Sequence, residues 1–390
     1  MGDVAPHLNG RLAGLTTTIF AEMSALAAAT GAINLGQGFP DTDGPAELVE
    51  SAVAALRAGH NQYPPGAGIP ELRAAVSGHQ RAFYGLEYDP ETEVLVTTGA
   101  TEAIAASLLA LCDQGDEVVM FEPFYDSYAA CTALAGGRPA VVALRPPDWS
   151  FDPDELERVV SPRTRVLLLN SPHNPTGKVF DRDELAAVAR CCVEHDLVAV
   201  TDEVYEHLVF EGEHLPLAGF PGMRERTISI SSAGKTFSFT GWKVGWACAP
   251  SPLLAAVRTV KQFLTYVSGG PFQYAVAEAL GAGDRYFSGI FRSLREARDL
   301  FCAGLSDIGF EVHRPAASYF VTTDIGPLGE HDAMAFCRGL PDRCGVVAVP
   351  VSVFFADPTS PTGRSLVRWA YSKRPEVLSE ALSRLKVLAR

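Results

Sequence analysis

The 390-residue sequence contains no apolar run of the roughly 18 residues that a helix needs to cross a membrane. Its first residues, MGDVAPHLNGR, also lack the basic segment followed by an apolar stretch that marks a secretory signal. We therefore expect a cytoplasmic protein that does not bind a membrane.

Positive charge is scarce as well. The chain has 32 Lys and Arg residues against 46 Asp and Glu residues, which gives a formal net charge of −14. A chain so acidic, without any basic block, is poorly suited to binding nucleic acid. Any anionic substrate must therefore be bound by a few individually placed cations.

The eight cysteines are scattered, and they form neither Cys-x-x-Cys pairs nor the Cys/His spacing of a metal site. The pattern favours reduced thiols in the core of a cytosolic protein, and no metal is expected. Internal repeats and low-complexity linkers are absent too, so we expect domains that are packed together rather than tethered.

With 47% hydrophobic residues, the chain can bury a large core, and its length suggests one large domain and a smaller one. From about residue 93, short apolar strands alternate with amphipathic helices. This pattern predicts an α/β fold with a mostly parallel seven-stranded sheet between helices, whose ligands bind at the carboxyl ends of the strands. The predicted strands are EVLVT (93–97), EVVMF (117–121), PAVVAL (139–144), RVLLLN (165–170), LVAVT (197–201), TISIS (227–231) and VGWACA (244–249).

We divide the chain into three parts. Residues 1–45 form an N-terminal arm and part of a small domain, residues 46–285 form the large ligand-binding domain, and residues 286–390 form a small C-terminal α+β domain. The C-terminal part is predicted from a long charged helix between about 284 and 307, several strand-like pieces, and a final helix near 376–388.

The segment TISISSAGKTFSFTGWKVGWACAP, residues 227–250, carries a lysine in a small-residue loop that follows a strand. Lys235 can meet a ligand there with little steric obstruction, and desolvation or nearby cations would make its amine a nucleophile toward carbonyls. Ser232 as a hydroxyl donor and Lys243 as a point charge suit a phosphate. A lone lysine at a strand end is typical of a surface, but the combination favours a binding site.

Two further segments place polar groups after strands. In VTTGATEAI (96–104) the backbone amides of residues 99–101 would lie at a helix N-terminus and could bind an anion, although capping by Thr98 or Thr101 explains the same residues. In VTDEVYEHLVF (200–210) Asp202 ends a strand, where an aspartate is often only a helix cap.

Together with EPFYDSY (122–128) and NSPHNPTGKVF (170–180), these segments resemble, in the same order, those of the class I/II aminotransferases, fold type I enzymes that use pyridoxal 5'-phosphate (PLP). The resemblance implies that Lys235 holds PLP as an internal aldimine, and that Asp202 and Tyr205 act with it as catalytic residues. Asp202 would be a buried carboxylate that keeps the pyridine nitrogen protonated, and Tyr205 would bond the phenolic oxygen. The other cofactor-binding residues that it implies are Gly99, Ala100, Thr101, Ser232 and Lys243 around the phosphate, Tyr125 (with Phe124 as second choice) stacked on the ring, Asn174 on the phenolic oxygen, and Tyr63.

The resemblance also implies the substrate-binding residues. Arg368, in SLVRWAYSKR (365–374), matches the arginine whose planar fork binds the substrate α-carboxylate, although an exposed strand arginine would give the same pattern. The Gly38 backbone, in NLGQGFP (34–40), would face that carboxylate. The remaining substrate-binding residues that it implies are Asn174, Phe20 and Tyr266. Tyr266 and the cofactor-binding Tyr63 would be contributed by the neighbouring subunit of a homodimer.

Within the family, NLGQGFPD, NQYPPGAG and ETEVLVTTGATEAIAA are most similar to a branch that contains kynurenine and methionine transaminases and actinobacterial N-succinyldiaminopimelate aminotransferases. Thr101 stands where the kynurenine enzymes carry an aromatic residue, which argues against kynurenine as the substrate. The implied reaction moves an amino group from an L-amino acid to a 2-oxo acid, 2-oxoglutarate or pyruvate. The same Cα-proton chemistry also serves a β- or γ-eliminating lyase or a carbon–carbon bond-forming enzyme, and a non-catalytic PLP-binding regulator is a further alternative.

Overall fold

The computed structural model describes residues 9–12 and 18–389. Most of the predicted N-terminal arm lies outside these residues. The helices of the described residues are α1 (Ile19–Thr30), α2 (Ala46–Arg57), α3 (Pro70–Tyr84), α4 (Gly99–Leu111), α5 (Ser127–Leu134), α6 (Pro153–Val159), α7 (Arg182–Glu194), α8 (Ala233–Thr236), α9 (Ser251–Lys261), α10 (Gly270–Gly281), α11 (Phe287–Ile308), α12 (Ala333–Cys344) and α13 (Pro375–Leu385).

The strands of the same residues form three sheets. They are β1 (Ile33–Asn34), β2 (Val94–Thr97), β3 (Glu117–Glu122), β4 (Arg138–Ala143), β5 (Thr164–Asn170), β6 (Val198–Asp202), β7 (Thr227–Ser232), β8 (Gly245–Cys248), β9 (Glu311–His313), β10 (Phe320–Asp324), β11 (Val346–Val347), β12 (Val349–Pro350) and β13 (Leu366–Ala370).

The large sheet has seven strands in the order β2-β8-β7-β6-β5-β3-β4, and only β8 runs antiparallel to its neighbours. The predicted mostly parallel seven-stranded sheet is therefore confirmed. Its central strands are buried on both faces: Val118 and Met120 of β3 pack into the same cluster as Ile104 of α4, whereas Phe121 packs with Val188 of α7 on the other face. Near-continuous apolar strands are the consequence of this double cover.

The pairing register brings the ends of several strands to one edge of this sheet. Asn170 of β5 lies opposite Asp202 of β6, and Gly245, which starts the antiparallel β8, lies between Thr97 of β2 and Ser232 of β7. Because the carboxyl ends of β2, β5, β6 and β7 coincide there, the polar residues that follow them share one location.

The smaller sheet is antiparallel, with the order β12-β13-β10-β9, and it packs with residues of α11, α12 and α13 in a separate core. Residues 346–350 form two short strands, because β11 pairs with β1 whereas β12 pairs with β13. The pairing of β1 with β11 joins the segment before α2 to the C-terminal part of the chain. The assignment of residues 1–45 and 286–390 to one small domain stays a prediction.

Local signals in the sequence account for the ends of α1, which carries Phe20 into the site. The Thr18 side chain accepts a hydrogen bond from the Ala21 amide, and the helix stops at Gly31, whose φ of 68° is left-handed. Helix α4 begins at Gly99, so residues 99–101 form its first turn, directly after the end of β2.

All eight cysteines are free, and seven of them are buried. None of the helices in the described residues combines the length and apolar character that spanning a bilayer requires.

Candidate active site

A cavity of about 1220 Å³ opens at the strand edge, between the large sheet, α1 and the strands β10 and β13 of the small sheet. The structure brings most of the predicted site residues to this cavity. They are Phe20, Gly38, Gly99, Ala100, Thr101, Tyr125, Asn174, Asp202, Tyr205, Ser232, Lys235, Lys243 and Arg368. Tyr63 and Tyr266 do not line it within the same chain.

Lys235 lies in α8, directly after β7. Its Nζ donates to the Tyr319 hydroxyl at 2.7 Å and to the Gly38 carbonyl at 3.2 Å, and the Tyr319 hydroxyl also donates to that carbonyl at 2.7 Å. The amine is thus held by groups from the N-terminal and C-terminal parts of the chain. A side chain at Gly38 would collide with the Phe320 ring, since an added Cβ would lie 2.3 Å from it.

Asp202 is buried at the end of β6. Its Oδ2 accepts a hydrogen bond from the Tyr128 hydroxyl at 2.7 Å, and its Oδ1 lies 3.4 Å from the Val204 amide. Burial raises the pKa of this carboxyl to about 6, although the Tyr128 hydrogen bond opposes the shift. The site therefore holds a carboxylate that a cationic ligand nitrogen would stabilise.

A cradle for an anion lies at the start of α4. Thr98 precedes the helix but makes no side-chain capping bond, so the capping alternative fails for Thr98. The Lys243 ammonium lies over the first turn: a Cβ added at Gly99 would be 3.1 Å from its Nζ. A Cβ at Gly245 would be 2.7 Å from the Gly99 backbone, so only glycine allows β8 to pass this close. Helix amides, a lysine and Ser232 together suit a phosphate.

Arg368 lies in β13 and is 1% exposed. Its Nη1 donates to Asn174 Oδ1 at 3.0 Å and its Nη2 to the Gly36 carbonyl at 2.7 Å, while its Nε has no hydrogen-bond partner among residues 9–12 and 18–389. Burial lowers the pKa of the guanidinium to about 10, so it stays charged at neutral pH. A buried, oriented guanidinium with a free N–H is suited to a carboxylate.

Aromatic rings surround this guanidinium. The centroids of Phe320, Phe354 and Phe20 lie 4.1, 4.9 and 5.0 Å from its Cζ. Tyr125 lines the cavity, whereas Phe124 is packed in the core of the large domain, so the geometry favours Tyr125 over Phe124 as a stacking ring.

Tyr63 and Tyr266 lie on the surface instead. Their side chains are 80% and 49% exposed, and their ring centroids are 5.6 Å apart in an edge-on arrangement. Three residues before Tyr266, Phe263 is 81% exposed. Tyr63 and Tyr266 therefore do not contribute to the cavity of their own chain.

Sequence reasoning missed Tyr128 and Tyr319. Tyr128 lies in the first turn of α5, within the motif EPFYDSY, but nothing in that motif indicates that its hydroxyl meets Asp202. Tyr319 precedes β10 in a segment without any motif, so its contact with Lys235 had no local signal.

A buried polar group lies behind the loop that carries Asp202 and Tyr205. Ser231 donates to Glu206, and Nε2 of His79 lies 2.6 Å from Nε2 of His207. Two imidazoles that bind one tetrahedral zinc ion stand about 3.4 Å apart, given Zn–N bonds of about 2.0–2.1 Å. Although Glu206 and the two histidines are close enough to be considered as metal ligands, the shorter distance fits a direct hydrogen bond between the rings.

A model of the family described as aminotransferase class I and II matches residues 30–385. A Mycobacterium tuberculosis protein named probable N-succinyldiaminopimelate aminotransferase DapC is 53% identical over 389 residues, covering 97% of this chain and 98% of that protein. Methionine aminotransferase of Escherichia coli is 40% identical over 379 residues and covers 97% of each chain. The solved structure of the Mycobacterium tuberculosis N-succinyldiaminopimelate aminotransferase matches with a TM-score of 0.96 over 98% of this chain and 100% of that chain.

The sheet order and the arrangement of the cavity define a fold type I transferase. The chain belongs to the aminotransferase class I and II family, and it is an aminotransferase. The family and the activity predicted from the motifs are thereby confirmed.

Proposed function

We propose that the cofactor is PLP and that it binds in the cavity at the strand edge. The observation that carries this proposal is the placement of three features along one edge: the lysine of α8, the buried Asp202, and the anion cradle at α4. Each feature matches a different part of PLP, namely its aldehyde, its ring nitrogen and its phosphate. The raised pKa of the Asp202 carboxyl supports the fit, because a protonated ring nitrogen would offset the free energy of burying that charge.

The remaining residues would hold the cofactor as the motifs predict. Lys243, Ser232 and the amides of residues 99–101 would bind the phosphate, Tyr125 would stack on the ring, and Asn174 and Tyr205 would donate to the phenolic oxygen. The Asn174 oxygen accepts from Arg368, which leaves the amide N–H groups as donors toward the cavity.

PLP supplies an electron sink for the charge that develops at the substrate Cα when its proton leaves. We propose that Lys235 Nζ takes this proton and returns one during amino transfer, as general base and then general acid. Tyr319 and the Gly38 carbonyl hold Nζ in place. Arg368 holds the α-carboxylate of the amino acid, and Phe20 and the Gly38 backbone close the space around it.

We further propose a homodimer with shared active sites. Tyr63, Phe263, Leu264 and Tyr266 are exposed apolar residues, and exposed patches of this kind mark protein interfaces. In this arrangement Tyr63 would reach the cofactor, and Tyr266 the substrate, of the partner subunit. The eight free cysteines support the proposed cytoplasmic location.

The proposal is tested by absorption spectra of the PLP-loaded protein, titrated with methionine, glutamine, phenylalanine, kynurenine, glutamate and N-succinyldiaminopimelate. We expect conversion of the bound cofactor to its amine form, reversed by 2-oxoglutarate or pyruvate. Pyruvate and ammonia without the amine form would instead establish elimination.

Variants of two residues complete this experiment. Lys235→Ala is expected to slow amino transfer by about 100- to 10,000-fold, the typical contribution of a positioned acid–base group. Arg368→Ala is expected to lower kcat/KM by about 10- to 100-fold, chiefly by raising KM and to a smaller extent by lowering kcat, as loss of a charge-assisted hydrogen bond implies. Lys386→Ala, on the surface and outside the cavity, is the control. Turnover of Lys235→Ala near the wild-type rate would contradict the assignment.

A further inference from the structure

We propose that Arg338 forms a second carboxylate subsite, so that the preferred amino donors carry a carboxylate at the far end of a long side chain. The inference rests on the proposed function, because it takes Arg368 as the binder of the α-carboxylate.

Arg338 belongs to the same cavity as Arg368 but to its outer end. Arg338 and Met334, one turn apart on α12, line the cavity together with Glu22 and Phe20 of α1. Arg368 is 1% exposed at the inner end, whereas the Arg338 side chain is 55% exposed. The cavity therefore presents one buried and one solvent-exposed guanidinium to the same ligand.

The charges that line the cavity leave Arg338 without another role. The positively charged residues among the described lining residues are Lys235, Lys243, Arg338 and Arg368. The proposed function uses Lys235 for proton transfer, Lys243 for the phosphate and Arg368 for the α-carboxylate. In a chain with a net charge of −14, a further cation at the rim has a specific consequence, since it offsets the general repulsion of anionic ligands at that point.

Arg338 already binds a carboxylate. Its Nε donates to Glu22 Oε1 at 2.7 Å and its Nη2 to Glu22 Oε2 at 3.3 Å, the two-point geometry in which guanidinium recognises carboxylate. Because both partners are largely exposed, this ion pair contributes little to stability. A ligand carboxylate that also gains the Arg368 contact can therefore replace Glu22 at small cost.

The distance between the two guanidinium groups sets the length of the donor. Phe20 contacts Arg368 and Glu22 contacts Arg338. Both of these α1 residues line the cavity, with Arg368 at its buried end and Arg338 at its exposed rim, and the cube root of the cavity volume puts these two ends on the order of 11 Å apart. An extended chain covers that distance in roughly nine or ten bonds. Aspartate and glutamate are too short, whereas an N-succinylated diaminopimelate has carboxylates at this separation.

Binding of simple dicarboxylates tests the subsite without any turnover. The affinity of the PLP-loaded protein for decanedioate, glutarate and decanoate is measured by calorimetry in wild type, Arg338→Gln and Arg343→Gln. Arg343 is the matched control, because it lies on the same helix in a similarly exposed ion pair with Glu330 but outside the cavity.

We expect decanedioate to bind wild type about ten-fold more tightly than glutarate or decanoate, and Arg338→Gln to lose this preference, as the loss of one charge-assisted hydrogen bond implies. Arg343→Gln should retain it. An equal affinity of wild type and Arg338→Gln for decanedioate would overturn the proposal.

Kinetics then connect the subsite to catalysis. Arg338→Gln is expected to lower kcat/KM for N-succinyldiaminopimelate about ten-fold through KM, and to leave kcat/KM for methionine within about two-fold. Glu22→Gln should raise the affinity for decanedioate, because it removes the competing carboxylate. If Glu22→Gln weakens decanedioate binding, the role assigned to the pair is wrong. If no donor is turned over by wild type, the proposed function fails, and the calorimetry still decides whether the subsite exists.

Discussion

Replacement of Tyr128 by phenylalanine removes a single hydroxyl, which donates to Asp202 Oδ2 at 2.7 Å. Burial raises the pKa of the Asp202 carboxyl from 3.8 to about 6, and the Tyr128 hydrogen bond holds it from rising further. A hydrogen bond to a charged group contributes about 1.5–3 kcal/mol. Its loss should therefore raise this pKa by about one to two units, to about 7–8.

The sign of the pH dependence follows from the raised pKa. Between pH 3.8 and 6 the folded, cofactor-free protein binds a proton that the unfolded chain has released. This proton uptake stabilises the folded protein against unfolding by about 3 kcal/mol below pH 3.8, and the stabilisation is lost as the pH rises through 6. A positively charged ring nitrogen of PLP would offset the free-energy cost of burying the Asp202 carboxylate, but only when Asp202 is ionised. PLP affinity should consequently fall below pH 6 in wild type, and already below about pH 7–8 in Tyr128→Phe.

The assay is the dissociation constant of PLP for the cofactor-free protein between pH 5 and 9, measured by absorbance or fluorescence. Wild type and variant are compared at each pH, so the titrations of PLP itself cancel. Tyr88→Phe is the control, because Tyr88 is a buried tyrosine that packs against Arg224 and does not line the cavity. An identical pH midpoint in wild type and Tyr128→Phe, or a loss of affinity that is equal at every pH, would refute the reasoning.

Two further variants test the cradle and the proposed dimer. Gly245→Ala places a Cβ 2.7–2.9 Å from the backbone of Gly99 and Ala100. Unfolding experiments should therefore show about 1–3 kcal/mol of destabilisation, together with weaker PLP binding. The control Gly241→Ala, whose added Cβ meets nothing within 4 Å, should behave as wild type. Phe263→Asp should be a monomer by light scattering and should have low activity in amino-transfer assays. Val387→Asp, at another exposed position, should remain an active dimer. A fully active monomer would contradict shared active sites.

The sequence was informative where a residue's role depends on its own strand. Lys235, Asp202 and Asn174 each follow an apolar strand, and parallel pairing brings such positions to one edge without knowledge of the rest of the fold. The seven strands were predicted for the same reason, because burial on both faces requires apolar runs.

Contacts between distant segments were beyond prediction. Tyr319 is 84 residues from Lys235, and Arg338 is 316 residues from Glu22. Neither pair has a sequence pattern, since the contacts depend on how the small sheet and α1 pack against the large sheet. Tyr128 is the intermediate case: its motif is recognisable, but its hydroxyl meets Asp202, 74 residues away, only through the packing of the fold.

One side chain joins the substrate and cofactor parts of the site. Asn174 lies between the Arg368 guanidinium, whose Nη1 donates to its oxygen, and the space proposed for the cofactor. Because an amide has one acceptor and one donor end, the arginine determines which end faces the cofactor. Loss of Arg368 therefore removes the carboxylate fork and also the orientation of the donor to the phenolic oxygen. Arg368→Lys, which retains the charge but not the planar fork, should consequently lower kcat as well as raise KM, and an effect on KM alone would show that Asn174 is oriented by other groups.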